Sequence, residues 1–343
     1  MSVLHVTSAR EWRGGENQLA LLLHHLPEEW RGTLAAPANS AFAARLGGVL
    51  PVLPVRSAGF GDIRSVLALR QLIGSGAYRL VHAHTSPAHA SALLARLGTG
   101  VPLVVSRRNA FRAKGGWKYE AVDRFITVSR AGREKLLAAG VAGERIAVIP
   151  DMVEKPAFAC EPSGPVVVCV AALSVEKDHE TLLRAWRDVE HAASQARLRL
   201  VGEGPLRARL EAMALALGLR RVEFLGERPA AADLARARLA VLTSREEGLG
   251  SAICLAQTMG VPAVVTDAGG LPEAIEAGRT GIVVPAGDAQ AVAHAIIELL
   301  ENGEMREAMG RAAALRAAML FDPARNATAH IEVYQDILSG LGR

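Results

Sequence analysis

Cysteine is scarce in this chain of 343 residues, and its placement argues against thiol chemistry. Only Cys160, Cys169 and Cys254 occur, and they are widely spaced. They form no CxxC pair and no metal-ligand spacing, so neither a redox motif nor a thiolate metal site is expected. The sequence therefore predicts reduced, buried thiols.

Aromatic residues are scarce as well, and the chain has neither a large net charge nor long apolar runs. Aromatics make up 4% of the chain and the formal net charge is +4, which leaves little material for stacking nucleic-acid bases. No apolar run reaches the roughly 18 to 20 residues that span a bilayer, and the first residues show no signal-peptide pattern. We therefore expect no nucleic-acid partner and a cytoplasmic location, with the inner face of a membrane left open.

Short apolar β-type runs alternate with helical runs in two successive series, which is typical of parallel sheets covered by helices. The segment 151–165 carries three prolines between the two series and is predicted to be a linker. The pattern predicts an α/β protein with one domain over 1–155 and a second over 165–320. A terminal helix over 324–340 is a candidate to pack back on the first domain.

Two glycines follow the first predicted strand. Gly14 and Gly15 stand in "EWRGGENQLALLLHHL", directly before an amphipathic run. Because glycine lacks a Cβ, a ligand can approach the backbone there, and the free N–H groups of a helix start favour an anion. A tight turn without a ligand explains the pair equally well.

A longer stretch in the second series, 242–275, combines two glycine turns with two strand ends. Its sequence is "LTSREEGLGSAICLAQTMGVPAVVTDAGGLPEAI". Each glycine turn opens a predicted helix, so backbone amides at both turns are suited to phosphates and a polar ligand.

This stretch resembles the donor-binding signature of the retaining GT-B glycosyltransferases of family 4. The matching residues are Ser244, Glu247, Gly248, Gly250, Ala256, Gly260, Pro262, Val264, Val265, Thr266, Gly269, Gly270 and Glu273. Further segments follow in the family's order, among them "VHAHTSPAH", "VEKDHETLLRAW" and "LVGEGPLRARLE". The resemblance spans essentially the whole chain and implies two Rossmann-like parallel-sheet lobes that face a cleft.

The resemblance implies three catalytic residues. Glu247 is expected to contact the hydroxyls of the donor sugar, since a carboxylate accepts hydroxyl protons. Lys177 is expected to pair with the donor phosphates, where a fixed cation stabilises the charge of the leaving group. His84 matches the family histidine between donor and acceptor.

The other residues implied by the resemblance bind the donor. The sugar and pyrophosphate are expected to lie against the backbone of Gly248, Leu249, Gly250 and Ser251. The nucleotide is expected to contact Gly202, Glu203, Gly204, Glu227 and Arg228, the last two through backbone groups that read the base. These residues do not decide between uracil and guanine, so a UDP or a GDP sugar remains open.

Two positions depart clearly from the family pattern, and a third departs mildly. Ala172 stands where the family has an arginine, and Leu255 stands where it has a glutamate that contacts the ribose. A lost phosphate donor costs about 3 kcal/mol of transition-state stabilisation if nothing replaces it. The candidates to replace it, or to contact the acceptor, are Arg13, Arg107, Arg108 and Arg245. Met152, where the family often has glycine, is a milder departure.

Histidines also raise the question of a metal. His82, His84 and His89 lie close together in sequence, and His82 and His84 share one face of an extended run. No thiolate or carboxylate ligand is near them, so we expect no bound metal.

The sequence as a whole favours a glycosyltransferase that moves a hexose-type sugar from a nucleoside diphosphate to a glycan or lipid-linked acceptor, with retention. We expect no cofactor, a role in bacterial cell-surface polysaccharide or lipopolysaccharide synthesis, and peripheral membrane association as an open point. The basic segment 106–120 is a candidate to bind an anionic acceptor or a lipid carrier. A sugar-nucleotide epimerase and a non-catalytic sugar-nucleotide-binding partner are the alternatives.

Overall fold

The computed structural model describes residues 3–12, 14–56, 62–109, 115–158 and 160–340. The chain divides into two compact units. Unit 1 comprises Met1–Met152 and Pro323–Arg343, and unit 2 comprises Val153–Asp322. Each unit contains one parallel sheet with helices around it, which confirms the predicted α/β class.

Unit 1 contains a sheet of seven parallel strands in the order β3-β2-β1-β4-β5-β6-β7. The strands are β1 Val3–Val6, β2 Thr33–Pro37, β3 Val52–Val55, β4 Leu80–Ala83, β5 Leu103–Ser106, β6 Arg124–Thr127 and β7 Ile146–Val148. The helices are α1 Gly14–His25, α2 Glu28–Arg31, α3 Phe42–Leu46, α4 Ile63–Gly74, α5 Ser86–Arg96, α6 Trp117–Glu120 and α7 Arg130–Ala138. The last helix of the chain, Pro323–Gly340, also belongs to this unit.

Alternate residues of the strands in unit 1 pack into two separate hydrophobic clusters. Leu4 and Val6 belong to one cluster, whereas Val3 belongs to the other. Successive side chains of a strand point to opposite faces, so the two clusters cover the two faces of the sheet. This periodicity places His5 on the same face as Val3.

Unit 2 contains six parallel strands in the order β10-β9-β8-β11-β12-β13. The strands are β8 Val166–Val170, β9 Arg197–Val201, β10 Val222–Phe224, β11 Leu239–Leu242, β12 Ala263–Thr266 and β13 Gly281–Val284. The helices are α8 His179–Ala192, α9 Arg207–Ala216, α10 Ala231–Leu234, α11 Ser251–Thr258, α12 Leu271–Ala274, α13 Ala289–Glu301 and α14 Gly303–Leu320. A 3₁₀ turn, Val175–Lys177, precedes α8.

The helix Pro323–Gly340, α15, packs into the core of unit 1. Tyr334 of this helix is fully buried, and its hydroxyl lies 2.7 Å from Nδ1 of His82 on β4. Near the start of α15, the Asn326 side chain donates to the carbonyl of Pro150 at 2.5 Å. Gln18 of α1 bonds both the N–H and the carbonyl of Met152 at 2.8 Å. These contacts fix both chain segments that leave unit 1.

We expect Tyr334→Phe to lower the free energy of unfolding of unit 1 by about 1–3 kcal/mol, because the buried Nδ1 of His82 loses its partner while the ring packing is kept. Urea denaturation measures this change. Tyr78→Phe, at a half-buried position against the same sheet, is the matched control. Equal stability of the two variants would show that the hydroxyl contact contributes nothing.

Candidate functional site

Each sheet reverses its strand order once, and candidate side chains lie at that point. In unit 2 the chain leaves β8 for β9, while β11 pairs with the other side of β8. Ligands of open parallel sheets bind beyond the carboxyl ends of the strands at such a reversal. The segments that follow β8 and β11 carry Lys177 and Glu247, respectively.

Lys177 and Glu247 form an ion pair between Nζ and Oε2. Their side chains are 19% and 16% exposed, so the pair is largely withdrawn from solvent. The other carboxylate oxygen, Oε1, accepts from the N–H of Gly248 at 3.1 Å. The structure thus brings together two of the three residues predicted to be catalytic, with complementary charge.

The conformation of Asp178 helps to orient Lys177. Asp178 has φ +48°, and among the described residues it is the one non-glycine residue with positive φ. Its carboxylate accepts from Thr181 Oγ1 at 2.8 Å, and its carbonyl accepts from Thr243 Oγ1 at 3.1 Å. A left-handed residue of this kind persists only where its surroundings hold it, and here they include the end of β11.

Arg245 lies beside this turn but already has a carboxylate partner. Its Nε donates to Oδ2 of Asp178 at 2.7 Å, and its backbone N–H donates to the carbonyl of Glu176 at 2.8 Å. The guanidinium side chain is 58% exposed. Arg245 is therefore placed next to Lys177, as a substitute cation for Ala172 needs to be, although a phosphate would compete with Asp178 for it.

Gln257 of α11 does not replace the missing ribose glutamate at Leu255. Gln257 is fully buried, and its side-chain amide donates to the carbonyl of Thr280 at 3.1 Å. This contact ties α11 to the segment before β13 and leaves Gln257 directed into the core.

Three glycines near Lys177 and Glu247 are required by close backbone packing. A Cβ at Gly202 would lie 2.0 Å from the carbonyl oxygen of Ala171, and one at Gly204 would lie 2.4 Å from that of Leu173. A Cβ at Gly269 would lie 2.2 Å from the carbonyl oxygen of Glu247. These glycines allow the loops after β8, β9, β11 and β12 to stack tightly.

The remaining donor candidates of unit 2 lie in loops at the same end of the sheet. Leu249 and Gly250 are buried, whereas Gly248 and Ser251 are half-buried. Glu227 and Arg228 are both exposed after β10. The Arg228 guanidinium donates two hydrogen bonds to the buried carboxylate of Asp233, at 2.8 and 2.5 Å, so its side chain is already paired within unit 2.

In unit 1 the paired glycines form the first turn of α1 and do not precede it as a separate turn. Gly14 is exposed and Gly15 is half-buried. A Cβ at Gly15 would meet no atom within 4 Å, so packing does not require glycine there. Arg13 lies outside the described residues.

His84 belongs to a buried histidine cluster at the strand reversal of unit 1. Its Nε2 lies 2.9 Å from Nδ1 of His5, and its ring centroid lies 3.9 Å from that of His82. Nε2 of His82 lies 2.9 Å from Oγ of Ser106. Sequence reasoning missed His5, although it is paired in register with His82 across β1 and β4.

Burial keeps these histidines neutral. It lowers the pKa of His5 from 6.5 to about 3 and that of His330, on α15, to about 4. Burial and the neighbouring imidazoles hold the pKa values of His82 and His84 well below 6.5. At neutral pH the cluster is therefore a hydrogen-bonded group of uncharged rings.

The same cluster has the composition of a metal site. Ligand nitrogens of His5, His82 and His84 lie within 4.8 Å of one another. However, both nitrogens of His82 are hydrogen bonded to Tyr334 and Ser106, and an ion would have to replace such contacts. His89, the third histidine considered in the sequence, lies apart with Nε2 3.1 Å from the carbonyl of Lys118.

Arg107 and Arg108 line a pocket of about 280 Å³ in unit 1 together with His84. Thr7, Gly15, Glu16, Leu19, Thr85, Ser86, Ser106 and Asn109 complete its wall. The pocket thus lies between the starts of α1 and α5 and the ends of β1, β4 and β5.

Two family models match the chain, one over each half. "Glycosyltransferase Family 4" matches residues 12–155, and "Glycosyl transferases group 1" matches residues 154–316. Anabaena Alr3699/HepE, solved in complex with UDP-glucose, has the same fold with a TM-score of 0.86 at 22% identity, over 98% of this chain and 100% of that one. The two parallel-sheet lobes therefore define a GT-B fold.

Curated relatives match over part of their length. An α-D-kanosaminyltransferase from Streptomyces kanamyceticus is 35% identical over 154 residues, which is 44% of this chain and 40% of that protein. A GDP-mannose-dependent phosphatidylinositol monomannoside mannosyltransferase from Mycolicibacterium smegmatis is 31% identical over 212 residues, or 55% and 56%. The chain spans about half the length of these relatives. It belongs to the family 4 glycosyltransferases, which confirms the resemblance carried by the motifs.

The neutral histidines predict a pH dependence of stability. Their folded pKa values lie below the value of 6.5 expected in the unfolded chain, so the unfolded state binds more protons below about pH 6.5. We expect the free energy of unfolding to fall with decreasing pH there, by about 1.4 kcal/mol per pH unit for each such histidine.

The variant His5→Asn should make this slope shallower, because it removes one titrating group and keeps a polar side chain. Urea denaturation at several pH values between 7 and about 5 measures the slope. His24→Asn, at an exposed position of α1, is the control substitution. A slope unchanged in His5→Asn would contradict the assignment of His5 as a buried neutral ring.

Proposed function

We propose that this protein transfers a hexose-type sugar from a nucleoside diphosphate to a glycan or lipid-linked acceptor, with retention of configuration at the sugar. The observation that carries the proposal is the ion pair of Lys177 and Glu247 where β8 and β11 end, surrounded by glycine loops. A donor of this class offers both groups a better partner: phosphates for the ammonium and sugar hydroxyls for the carboxylate.

Lys177 and Glu247 have different roles in the proposed reaction. As the glycosidic bond breaks, negative charge grows on the leaving diphosphate, and the ammonium of Lys177 stabilises that charge more than it stabilises the ground state. The carboxylate of Glu247 holds the sugar by its hydroxyls. The backbone of Gly248 to Ser251 lies against sugar and pyrophosphate at the start of α11, which favours negative charge.

Unit 1 supplies the acceptor side in this proposal. His84 contacts the reacting sugar, and Gly14 and Gly15 let the donor approach the start of α1. His84 acts as a neutral hydrogen-bonding group, because burial lowers its pKa well below 6.5.

Domain 165–320 binds the nucleotide through Gly202, Gly204, Glu227 and Arg228. No cofactor takes part, and helix starts and cations hold the phosphates.

The relatives give support for the base of the donor and for the pathway. The structural neighbour from Anabaena binds UDP-glucose, whereas the mannosyltransferase relative is named for GDP-mannose, so both bases have support. That relative acts on a lipid, which supports a lipid-linked acceptor and a role in cell-surface polysaccharide or lipopolysaccharide synthesis. None of the helices in the described part of the chain is both long and apolar enough to cross a bilayer.

Calorimetric titration with UDP, GDP, CDP and ADP tests the donor site and names the base. We expect one diphosphate to bind selectively and Lys177→Ala to weaken it about tenfold or more, the loss expected for a charge-assisted contact. Lys155→Ala, an exposed lysine of the same unit, is the matched control.

Arg245→Ala in the same titration tests Arg245 as the cation that replaces the family arginine at Ala172, and unchanged diphosphate affinity would reject that role.

A non-catalytic sugar-nucleotide-binding protein is the second candidate, because Ala172 and Leu255 remove two polar family contacts. Incubation with the selected nucleotide sugar, with and without acceptor glycans, separates the candidates. Glycosylated product indicates transfer, whereas an isomerised sugar formed without acceptor indicates an epimerase. Binding without any product would favour the non-catalytic alternative.

A further inference from the structure

Arg107 is a buried cation without a carboxylate partner among the residues that the structure describes. The residue is 7% exposed, and its Nε has no hydrogen-bond partner there. Its guanidinium carbon lies 5.8 Å from the centre of the Tyr119 ring. Burying a charge without a partner is costly, so such a group commonly marks a place for a counter-ion.

The backbone of Arg107 is held by two hydrogen bonds to the neighbouring strand. Its N–H donates to the carbonyl of Ile126 at 2.7 Å, and its carbonyl accepts from Thr127 Oγ1 at 3.1 Å. Both partners lie on the neighbouring strand β6. These bonds hold the backbone of Arg107 beside β6, directly after the end of β5, where the residue lines the pocket.

The neighbouring charges leave positive charge in excess near Arg107. Arg108 faces Asp151, with Nε 3.6 Å from Oδ1; burial lowers the pKa of Arg108, and the carboxylates of Asp151 and Glu16 partly offset that effect. Lys118, in contrast, has a lowered pKa because of burial and the nearby charge of Arg107. The acidic groups thus serve Arg108, while Arg107 and Lys118 repel each other.

Two helix starts add to the preference for an anion. Gly15 belongs to the first turn of α1, and Ser86 is the first residue of α5. Both line the same pocket as Arg107; the wall also contains Glu16, whose carboxylate interacts with Arg108. Free backbone N–H groups at helix starts attract negative charge.

We propose that the pocket lined by Arg107 and Ser86 binds a phosphate group of the acceptor, so that the sugar is transferred to a phosphorylated molecule. The volume of about 280 Å³ lies near the lower end of small-molecule sites, which leaves room for a phosphate and part of a small polar head. The guanidinium of Arg107 pairs with phosphate oxygens in the forked geometry that favours arginine for this task. This inference rests on the proposed transfer only in calling the bound molecule an acceptor.

The test uses the full chain and measures binding of inorganic phosphate and of glycerol 3-phosphate by calorimetry, without nucleotide. Arg107→Gln should weaken both about tenfold or more, and Arg107→Lys should restore part of the affinity. Ser86→Asp places a carboxylate in the pocket wall and should abolish phosphate binding by charge repulsion. The helix itself should tolerate the change, because an acidic residue is favourable at a helix start. Arg79→Gln, an exposed arginine before β4, is the matched control.

The outcomes separate this proposal from the donor site and distinguish two sources of the phosphate. Arg107-dependent binding to vesicles of phosphatidylcholine with phosphatidylglycerol, but not to phosphatidylcholine alone, would identify a lipid headgroup. Binding to glycerol 3-phosphate alone would identify a soluble acceptor. Phosphate affinity that is absent, or equal in wild type and Ser86→Asp, would overturn the proposal. A matching loss of nucleoside diphosphate affinity in Arg107→Gln would overturn it as well, because it would assign Arg107 to the donor.

Discussion

The reversal of strand order in each parallel sheet is the constraint on which the candidate sites depend. All strands of a parallel sheet end at one edge, and the loops diverge where the order reverses, which opens room for a ligand. In unit 2 the reversal lies between β8 and β11, and it brings Lys177 close to Glu247 across 70 positions of sequence. In unit 1 it lies between β1 and β4, where His5 meets His84.

The ion pair at the end of β11 is a polar contact that a donor can exchange for stronger ones. A largely buried pair gains little stability because desolvation offsets its attraction. Its importance is positional: the left-handed turn at Asp178, held by Thr243 and Arg245, fixes the backbone next to Lys177, and Glu247 holds the ammonium. Preorganised charge of this kind is the main contribution that a protein makes to stabilising a leaving group.

Much of the fold could be predicted from sequence, because apolar periodicity and glycine turns are local signals. The two series of apolar runs correspond to the sheets of seven and six strands. The family pattern points to Lys177 and Glu247 as separate donor contacts, and the structure shows that their side chains form an ion pair. Three features could not be predicted: the pairing of His5 with His84, the hydrogen bond of Arg245 to Asp178, and the burial of Arg107 with its Nε unbonded within the described ranges. Each depends on register or packing between segments distant in sequence.

The most direct test of the account is the effect of Glu247→Gln on two ligands measured by calorimetry: the selected nucleoside diphosphate and its sugar conjugate. The variant keeps the shape of the side chain but frees Lys177 from its carboxylate. We predict that diphosphate affinity is kept or increased, while affinity for the nucleotide sugar falls about tenfold relative to it, since the sugar hydroxyls lose a charged acceptor. An equal change in both affinities, or none in either, would contradict the assignment of Glu247 to the sugar and Lys177 to the phosphates.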